Sequence, residues 1–182
     1  MFLRLIISFL LLLVALAAPI NAAMADEVPV VGSMAPAFAL PDQSGQEVSL
    51  DSLRGKWLVL YFYPKNDTPG CTEEACSFRD DMAQLTRLGA QIVGVSIDSA
   101  ASNAEFAKKY HLPFPLLADQ DGDVAKRYGA YADWMVVRFA RRYTFLIDAQ
   151  GKIAKTYLKV DTSKHSAEII ADLKNLSSPS GK

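Results

Sequence analysis

The chain has 182 residues and a formal net charge of −1, and its charged residues form no long run of one sign. This balance argues against a nucleic-acid-binding protein and against a polybasic membrane surface. A zinc site would need more cysteine or histidine than the two of each that the chain carries. No internal repeat is visible, and the length suits a single domain.

The N-terminus has the pattern of a secretory signal peptide over residues 1–25. Arg4 precedes an apolar run, Leu5 to Ala18, and Ala23-Met-Ala25 forms an A-x-A cleavage site. The run is too short and wrongly flanked for a membrane span, with an uncleaved anchor as the alternative. We therefore predict a periplasmic protein that begins at Asp26 and has no membrane association after cleavage.

The mature chain is predicted to form one domain over residues 26–176, followed by a flexible polar tail over residues 177–182. Two short alternating segments flank Asp42–Gly45 and predict a hairpin near the N-terminus. Asp51–Gly55 then reads as a short helical turn closed by glycine.

The next stretch holds both cysteines. An unbroken apolar and aromatic run, Trp57–Tyr63, predicts a buried strand in the middle of a sheet. After the turn signal Pro69-Gly70, apolar residues recur every three or four positions and predict a helix to about residue 88. Cys71 then lies at a helix N-terminus, where unpaired backbone N–H groups and the helix dipole favour a thiolate.

Two polar residues near Cys71 are expected to affect the stability of that thiolate. The hydroxyl of Thr68 can reach the sulfur or a bound oxygen as a hydrogen-bond donor. Glu74 lies three residues beyond Cys71 on the same helix face and repels an anion, so a nearby cation is expected. The alternative is that Cys71 and Cys76 are ordinary buried cysteines or a structural disulfide, although a bridge over four residues restrains little chain.

The second half alternates strands and helices and closes with a hairpin and a helix. Strands are predicted at 91–97, 114–117, 143–147 and 153–158, and helices at 102–110 (with Ser102 as its cap), 121–128 and 164–176. Asp119, Asp121 and Asp123 alternate as in a calcium loop, but the glutamate that ends such a loop is missing, so loop and cap roles are expected. The order of elements predicts a mixed α/β sheet.

The cysteine stretch resembles the active-site signature of peroxiredoxins. The pattern Y-P-x-x-x-T-x-x-C ends at Cys71, and the fuller string over residues 61–80 resembles the Q subfamily, also called bacterioferritin comigratory protein. In that subfamily the second cysteine lies five residues beyond the first, as Cys76 does. The likeness runs from about residue 31 to 176 and implies a thioredoxin-like fold, with a central mixed sheet flanked by helices and the N-terminal hairpin as an extension.

The resemblance implies a thiol peroxidase that reduces hydrogen peroxide and small organic hydroperoxides without a metal or bound cofactor. Cys71 is then the peroxidatic cysteine that becomes a sulfenic acid, and Cys76 the resolving cysteine that forms a disulfide with it. A thioredoxin-like protein would reduce that disulfide. A monomer is expected.

The same resemblance assigns a cation to the site. Arg142 precedes the predicted strand in the stretch Arg-x-Thr-Phe-Leu-Ile-Asp, and its guanidinium offers a rigid fork of donors for a thiolate and a peroxide oxygen. The alternative is a solvated strand-end charge, as expected for Arg138 and Arg141, and the adjacent arginines allow a one-position error. The other implied site residues are Thr68, Pro64 as a shield of the sulfur from water, and Gly70, Tyr63 and Glu74 in support.

Two rival functions remain open. A thiol–disulfide oxidoreductase usually carries Cys-x-x-Cys, and the Cys-x4-Cys spacing here disfavours it. The other rival is a non-enzymatic periplasmic binding module with a structural disulfide. His111 and His165 have no second ligand near them in sequence, and neither is predicted to be catalytic.

Overall fold

The structure, a computed structural model, describes residues 27–177. In chain order it contains β1 (Ala39–Pro41), β2 (Glu47–Ser49), a 3-10 helix (Asp51–Leu53), β3 (Trp57–Phe62), α1 (Pro69–Asp80), α2 (Met82–Arg87), β4 (Ala90–Ser96), α3 (Ala100–Tyr110), β5 (Leu116–Ala118), α4 (Asp123–Arg127), β6 (Tyr131–Trp134), β7 (Val137–Ala140), β8 (Thr144–Ile147), β9 (Ile153–Tyr157) and α5 (His165–Ser177). The predicted signal peptide and residues 178–182 of the predicted tail lie outside this range, whereas Ser177 ends α5. No helix within the range is long and apolar enough to cross a membrane.

The central sheet has the strand order β5-β4-β3-β8-β9. Strand β3 lies in its middle, parallel to β4 and antiparallel to β8. Strands β1 and β2 pair as the predicted N-terminal hairpin, and β8 and β9 as the predicted closing hairpin. The predicted mixed sheet with an N-terminal extension is therefore confirmed.

Strand β3 is buried on both faces, as its apolar run predicts. Val59 and Tyr61 join the core cluster that includes residues of α1, α3 and α5. Leu58, Leu60 and Phe62 point the other way and join the cluster beneath α4 and the N-terminal segment. Burying one such side chain stabilises the fold by roughly 1.5–3 kcal/mol. The side chains of β3 therefore stabilise the core on both faces of the sheet.

Several boundaries differ from those predicted. The cysteine helix is interrupted at Asp81, which separates α1 from α2. Ser99, not Ser102, caps α3, because the Ser99 hydroxyl accepts a hydrogen bond from the Ser102 backbone N–H at 3.2 Å. Helix α4 is shorter than predicted, since Gly122 adopts a left-handed conformation before it.

The hairpin β6–β7 was not predicted. Its tip carries four large apolar residues in the open, Trp134, Met135, Val136 and Val137, which are 54–94% exposed. The turn has Met135 at φ 58° where glycine or asparagine is usual, so the sequence lacks the ordinary hairpin signal.

Candidate active site

Cys71 is the third residue of α1 and follows the carboxyl end of β3. Its side chain is buried. The loop between strand and helix is fixed by a buried polar network: the Tyr63 hydroxyl donates to Asn66 Oδ1 at 2.9 Å, and Asn66 Nδ2 donates to Asn103 Oδ1 at 2.9 Å. Tyr63 therefore supports the site by holding the loop that leads into the cysteine helix.

Arg142 reaches the sulfur from the neighbouring strand. Residue 142 lies just before β8, which pairs with β3, so its side chain can cross to the N-terminus of α1. Its Nη2 donates to Cys71 Sγ at 3.2 Å, and its Nη1 donates to Glu74 Oε2. Arg141, by contrast, is exposed. One planar fork thus bridges the sulfur and the carboxylate that the sequence placed beside it.

Arg142 stays positively charged in the site. Burial lowers its pKa, but the nearby Glu74 and Cys71 raise it more, and the net direction is upward. The site therefore keeps a fixed cation within hydrogen-bond distance of the sulfur.

Gly70 leaves room for this approach. A Cβ at this position would lie 3.3 Å from Arg142 Nη2, tighter than ordinary van der Waals contact. A residue with a side chain would push the guanidinium away from the first turn of α1. The predicted supporting role of Gly70 thus has a steric component that the turn signal alone did not indicate.

Glu74 is the buried carboxylate of the site, with 1% of its surface exposed. Burial raises its pKa to about 7, although Arg142 acts in the opposite direction. Only one of its oxygens is paired, because Oε1 has no hydrogen-bond partner. Near neutral pH this side chain can therefore hold or release a proton.

The Thr68 hydroxyl was expected to donate to the sulfur or to a bound oxygen, and in this structure it does not donate to the sulfur. The Thr68 hydroxyl donates its single proton to the Lys65 carbonyl at 3.0 Å. The local turn satisfies the hydroxyl, which leaves its oxygen free to accept a hydrogen bond.

Pro64 lies at the edge of an open cleft of about 630 Å³. The cleft is also lined by Val137 and Phe139 of β7, whereas Cys71 is not among its lining residues. The structure thus places Pro64 between the loop that leads to Cys71 and the unpredicted hairpin.

Cys76 lies in the same helix as Cys71, and both thiols are free. It is only half buried. Arg79, three residues further, has its pKa raised first by a hydrogen bond to Asp80 and to a smaller extent by Cys76. Each cysteine therefore has its own arginine.

Sequence reasoning missed His165, the first residue of α5. Its ring is fully buried, with Nε2 2.9 Å from Thr144 Oγ1 and 4.0 Å from Glu74 Oε1. The available signal was its spacing, four residues before the buried Ile169, which puts a histidine on the apolar helix face. Within residues 27–177, no group of three or more His, Cys, Asp or Glu side chains could hold a metal ion.

A buried thiol at a helix N-terminus, paired with a guanidinium beyond the carboxyl end of the central strand of a thioredoxin-like sheet, is the arrangement of a class of thiol-dependent peroxidases. The profile of the AhpC/TSA family matches residues 31–156. The chain belongs to this family and, within it, to the peroxiredoxins of the Q or bacterioferritin comigratory type.

Individual relatives agree with this assignment. A protein of Coxiella burnetii named as a peroxiredoxin bcp is 46% identical over 149 residues, which cover 79% of this chain and 97% of the relative. The crystal structure of peroxidoxin BcpB from Mycobacterium tuberculosis superposes with a TM-score of 0.77 at 34% identity, covering 81% of this chain and 98% of that one.

A third relative has been studied for its chemistry. A bacterioferritin comigratory protein of Xanthomonas campestris, solved as trapped intermediate and ligand complexes that address its alkyl peroxide reduction activity, has a TM-score of 0.72 at 33% identity. The match covers 76% of this chain and 91% of that one.

Proposed function

We propose that Cys71 is the peroxidatic cysteine of this peroxidase. The observation that carries the proposal is the Arg142 fork, whose Nη2 lies 3.2 Å from Cys71 Sγ. The thiolate attacks the terminal oxygen of a hydroperoxide, the O–O bond breaks, and the sulfur becomes a sulfenic acid. The departing alkoxide or hydroxide takes up a proton and leaves as an alcohol or water.

Arg142 stabilises the transition state in this scheme. Negative charge moves from the sulfur to the departing oxygen as the O–O bond breaks, and a fixed guanidinium can hold both atoms. Backbone N–H groups of the first turn of α1, at Gly70 and Cys71, add donors at the same place. Thr68 contributes an acceptor for the peroxide O–H, and Pro64 limits the access of water.

Cys76 is proposed to resolve the sulfenic acid as an intramolecular disulfide. In a regular helix, five residues give about 7.5 Å of rise and roughly 140° of rotation, so the two Cα atoms lie roughly 8–9 Å apart. A disulfide needs Cα atoms within about 7 Å. Resolution therefore requires local unwinding of α1 between Cys71 and Phe78.

The substrates proposed are hydrogen peroxide and small organic hydroperoxides, and the reductant is a thioredoxin-like protein. The alkyl peroxide activity addressed for the Xanthomonas campestris relative supports the organic substrates. The reductant attacks the Cys71–Cys76 disulfide through a mixed disulfide and restores both thiols.

A peroxide-consumption assay with thioredoxin as reductant tests this function. Wild-type protein should turn over, Cys71→Ser should be inactive, and Cys76→Ser should consume about one peroxide per chain and stall as a sulfenic acid. Sulfenic acid trapping with mass measurement identifies the oxidised residue. Full turnover by Cys71→Ser would overturn the assignment, and activity towards disulfides but not peroxides would favour the oxidoreductase.

The export of the protein is a separate part of the proposal. The pattern of Arg4, the apolar run and Ala23-Met-Ala25 supports cleavage before Asp26 and a periplasmic product. A monomer is proposed as well. Mass spectrometry of the protein from its native host should find Asp26 as the first residue, and sedimentation should give a monomer. An intact Met1 on a cytoplasmic protein would contradict export, and a stable dimer would contradict the monomer.

A further inference from the structure

The segment that joins β9 to α5 contacts the first turn of the cysteine helix. A Cβ placed on Gly70 would lie 3.7 Å from Thr162 Cγ2 and 3.3 Å from Arg142 Nη2, so both side chains converge on the residue before Cys71. The Thr162 hydroxyl donates to Glu73 Oε2, one residue before the carboxylate that Arg142 binds. Thr162 and Arg142 therefore bind adjacent residues of α1.

Thr162 belongs to a turn whose residues are hydrogen-bonded to one another. Asp161 Oδ1 accepts from the Ser163 backbone N–H at 3.2 Å and from the Ser163 hydroxyl at 2.7 Å, and the Lys164 N–H donates to the Asp161 carbonyl at 3.0 Å. Val160, at the start of the segment, packs against the core cluster that α1 also joins. The Thr162 hydroxyl therefore contacts α1 from a well-anchored part of the domain.

The two contacts with α1 respond differently to oxidation of the sulfur. In the part of the chain that the structure describes, the side chains from outside α1 that hydrogen-bond to residues 70–75 are those of Arg142 and Thr162. Arg142 attracts the Cys71 thiolate, and this attraction weakens when the thiolate becomes a neutral sulfenic acid. The contact between Thr162 and Glu73 does not involve the sulfur, so it persists after the peroxide has been reduced.

We infer that Thr162 is a positioning residue that holds the first turns of α1 closed and thereby sets the rate at which Cys76 resolves oxidised Cys71. In that step the Cys76 sulfur attacks the Cys71 sulfur, the S–S bond forms, the S–O bond breaks, and the hydroxyl leaves as water with the thiol proton. Glu73 lies between the two cysteines, so the unwinding that joins them moves it away from Thr162. The inference rests on the proposed function, because unwinding limits the cycle only if Cys76 is the resolving cysteine.

Two rates distinguish this role from general damage to the site. Stopped flow measures the oxidation of Cys71 by hydrogen peroxide, and quenched-flow alkylation of free thiols measures the disulfide that follows. Thr162→Val keeps the size of the side chain and removes the hydroxyl. It should leave the oxidation rate within about two-fold of wild type and speed disulfide formation about five-fold, the effect of one lost hydrogen bond on the unwinding equilibrium.

Three further variants test whether the hydroxyl is responsible. Thr162→Ser keeps the donor and should form the disulfide at the wild-type rate. Ser163→Ala is the matched control, because the Ser163 hydroxyl belongs to the same turn and donates within it, to Asp161. In a Glu73→Ala background, Thr162→Val should have no further effect, since the acceptor is already absent. Equal rates of disulfide formation in wild type and Thr162→Val would overturn the inference, and so would equal acceleration by Ser163→Ala.

Hydrogen exchange of the reduced protein gives a second readout, which needs no peroxide. The backbone amides of residues 73–76 should exchange about five-fold faster in Thr162→Val than in wild type, while the amides of α3 stay unchanged. Equal exchange in the two proteins would refute the contribution of Thr162 to the stability of α1. Faster exchange in a protein whose Cys71 does not react with peroxide would refute only the proposed function.

Discussion

The two cysteines of α1 each have an arginine nearby, but the two pairs differ in their contact with water. Beside Cys71, Arg142 binds Glu74, whose side chain is 1% exposed. Beside Cys76, Arg79 binds Asp80, whose side chain is 66% exposed. Water screens the second pair, and exposed ion pairs contribute only about 0–1 kcal/mol. An arginine–carboxylate pair beside each cysteine of α1 therefore gives a strong electrostatic site at Cys71 and a weak one at Cys76.

The largest effect should come from breaking the buried pair. Arg142→Lys should slow peroxide reduction about 100-fold or more, because an ammonium cannot bridge the sulfur and the reacting oxygen as a planar fork does. Stopped-flow measurement of Cys71 oxidation gives the rate. Arg141→Lys, the exposed neighbour, should behave as wild type. Sensitivity at residue 141 instead of 142 would move the role to Arg141.

The next effect tests whether water reaches the buried side chain of His165. The pKa of His165 is about 4 in the folded protein, below its ordinary 6.5, because the ring is buried and lies near Arg142. The unfolded chain binds a proton first as pH falls, so His165 destabilises the fold progressively from about pH 6.5 down to about pH 4.

Urea unfolding at about pH 7.5 and pH 4.5 measures this effect. Wild type should lose on the order of 2 kcal/mol more than His165→Gln between the two conditions, since each pKa unit is worth about 1.4 kcal/mol. His111→Asn should keep the wild-type pH dependence. Identical losses in wild type and His165→Gln would mean that water reaches the ring.

A smaller effect concerns the geometry that separates the two cysteines. Backbone amides from Thr72 to Phe78 should exchange at least about ten-fold faster in the disulfide form than in the reduced form, which corresponds to about 1.4 kcal/mol. Mass spectrometry confirms the Cys71–Cys76 bond, and the amides of α3 serve as the internal control. Equal protection in both forms would exclude unwinding.

The smallest effect should come from the exposed pair. Arg79→Gln should slow disulfide formation after one peroxide pulse by no more than about five-fold, the range of a solvent-screened ion pair. Quenched-flow alkylation of free thiols gives the rate. A loss as large as that of Arg142→Lys would show that the two pairs are equivalent and that solvent exposure does not separate them.

The sequence predicted the elements that depend on local pattern. The apolar run of β3 required a strand covered on both faces, and the turn before α1 placed Cys71 at a helix N-terminus. Glu74, three residues beyond Cys71, required a cation nearby, and a guanidinium is found there. Each of these inferences involves residues close in sequence or a pattern with a fixed period.

The features that could not be predicted from the sequence depend on tertiary packing. His165 lies 91 positions from Glu74, and only the packing of α5 against α1 brings their side chains together. The hairpin β6–β7 lacks the usual turn residues, so no local signal marked it. Thr68 was expected to donate to the sulfur or to a bound oxygen, because spacing cannot reveal that the Lys65 carbonyl competes for the same proton.

The break at Asp81 separates α1 from α2. The Asp81 side chain accepts a hydrogen bond from the Ser166 hydroxyl of α5 at 2.7 Å, which fixes the junction between α1 and α2 to the body of the domain. Unwinding that starts at Cys71 can end at this junction without straining α2 or the strand that follows it. The redox cycle would then be confined to a single twelve-residue helix while the rest of the domain keeps its packing.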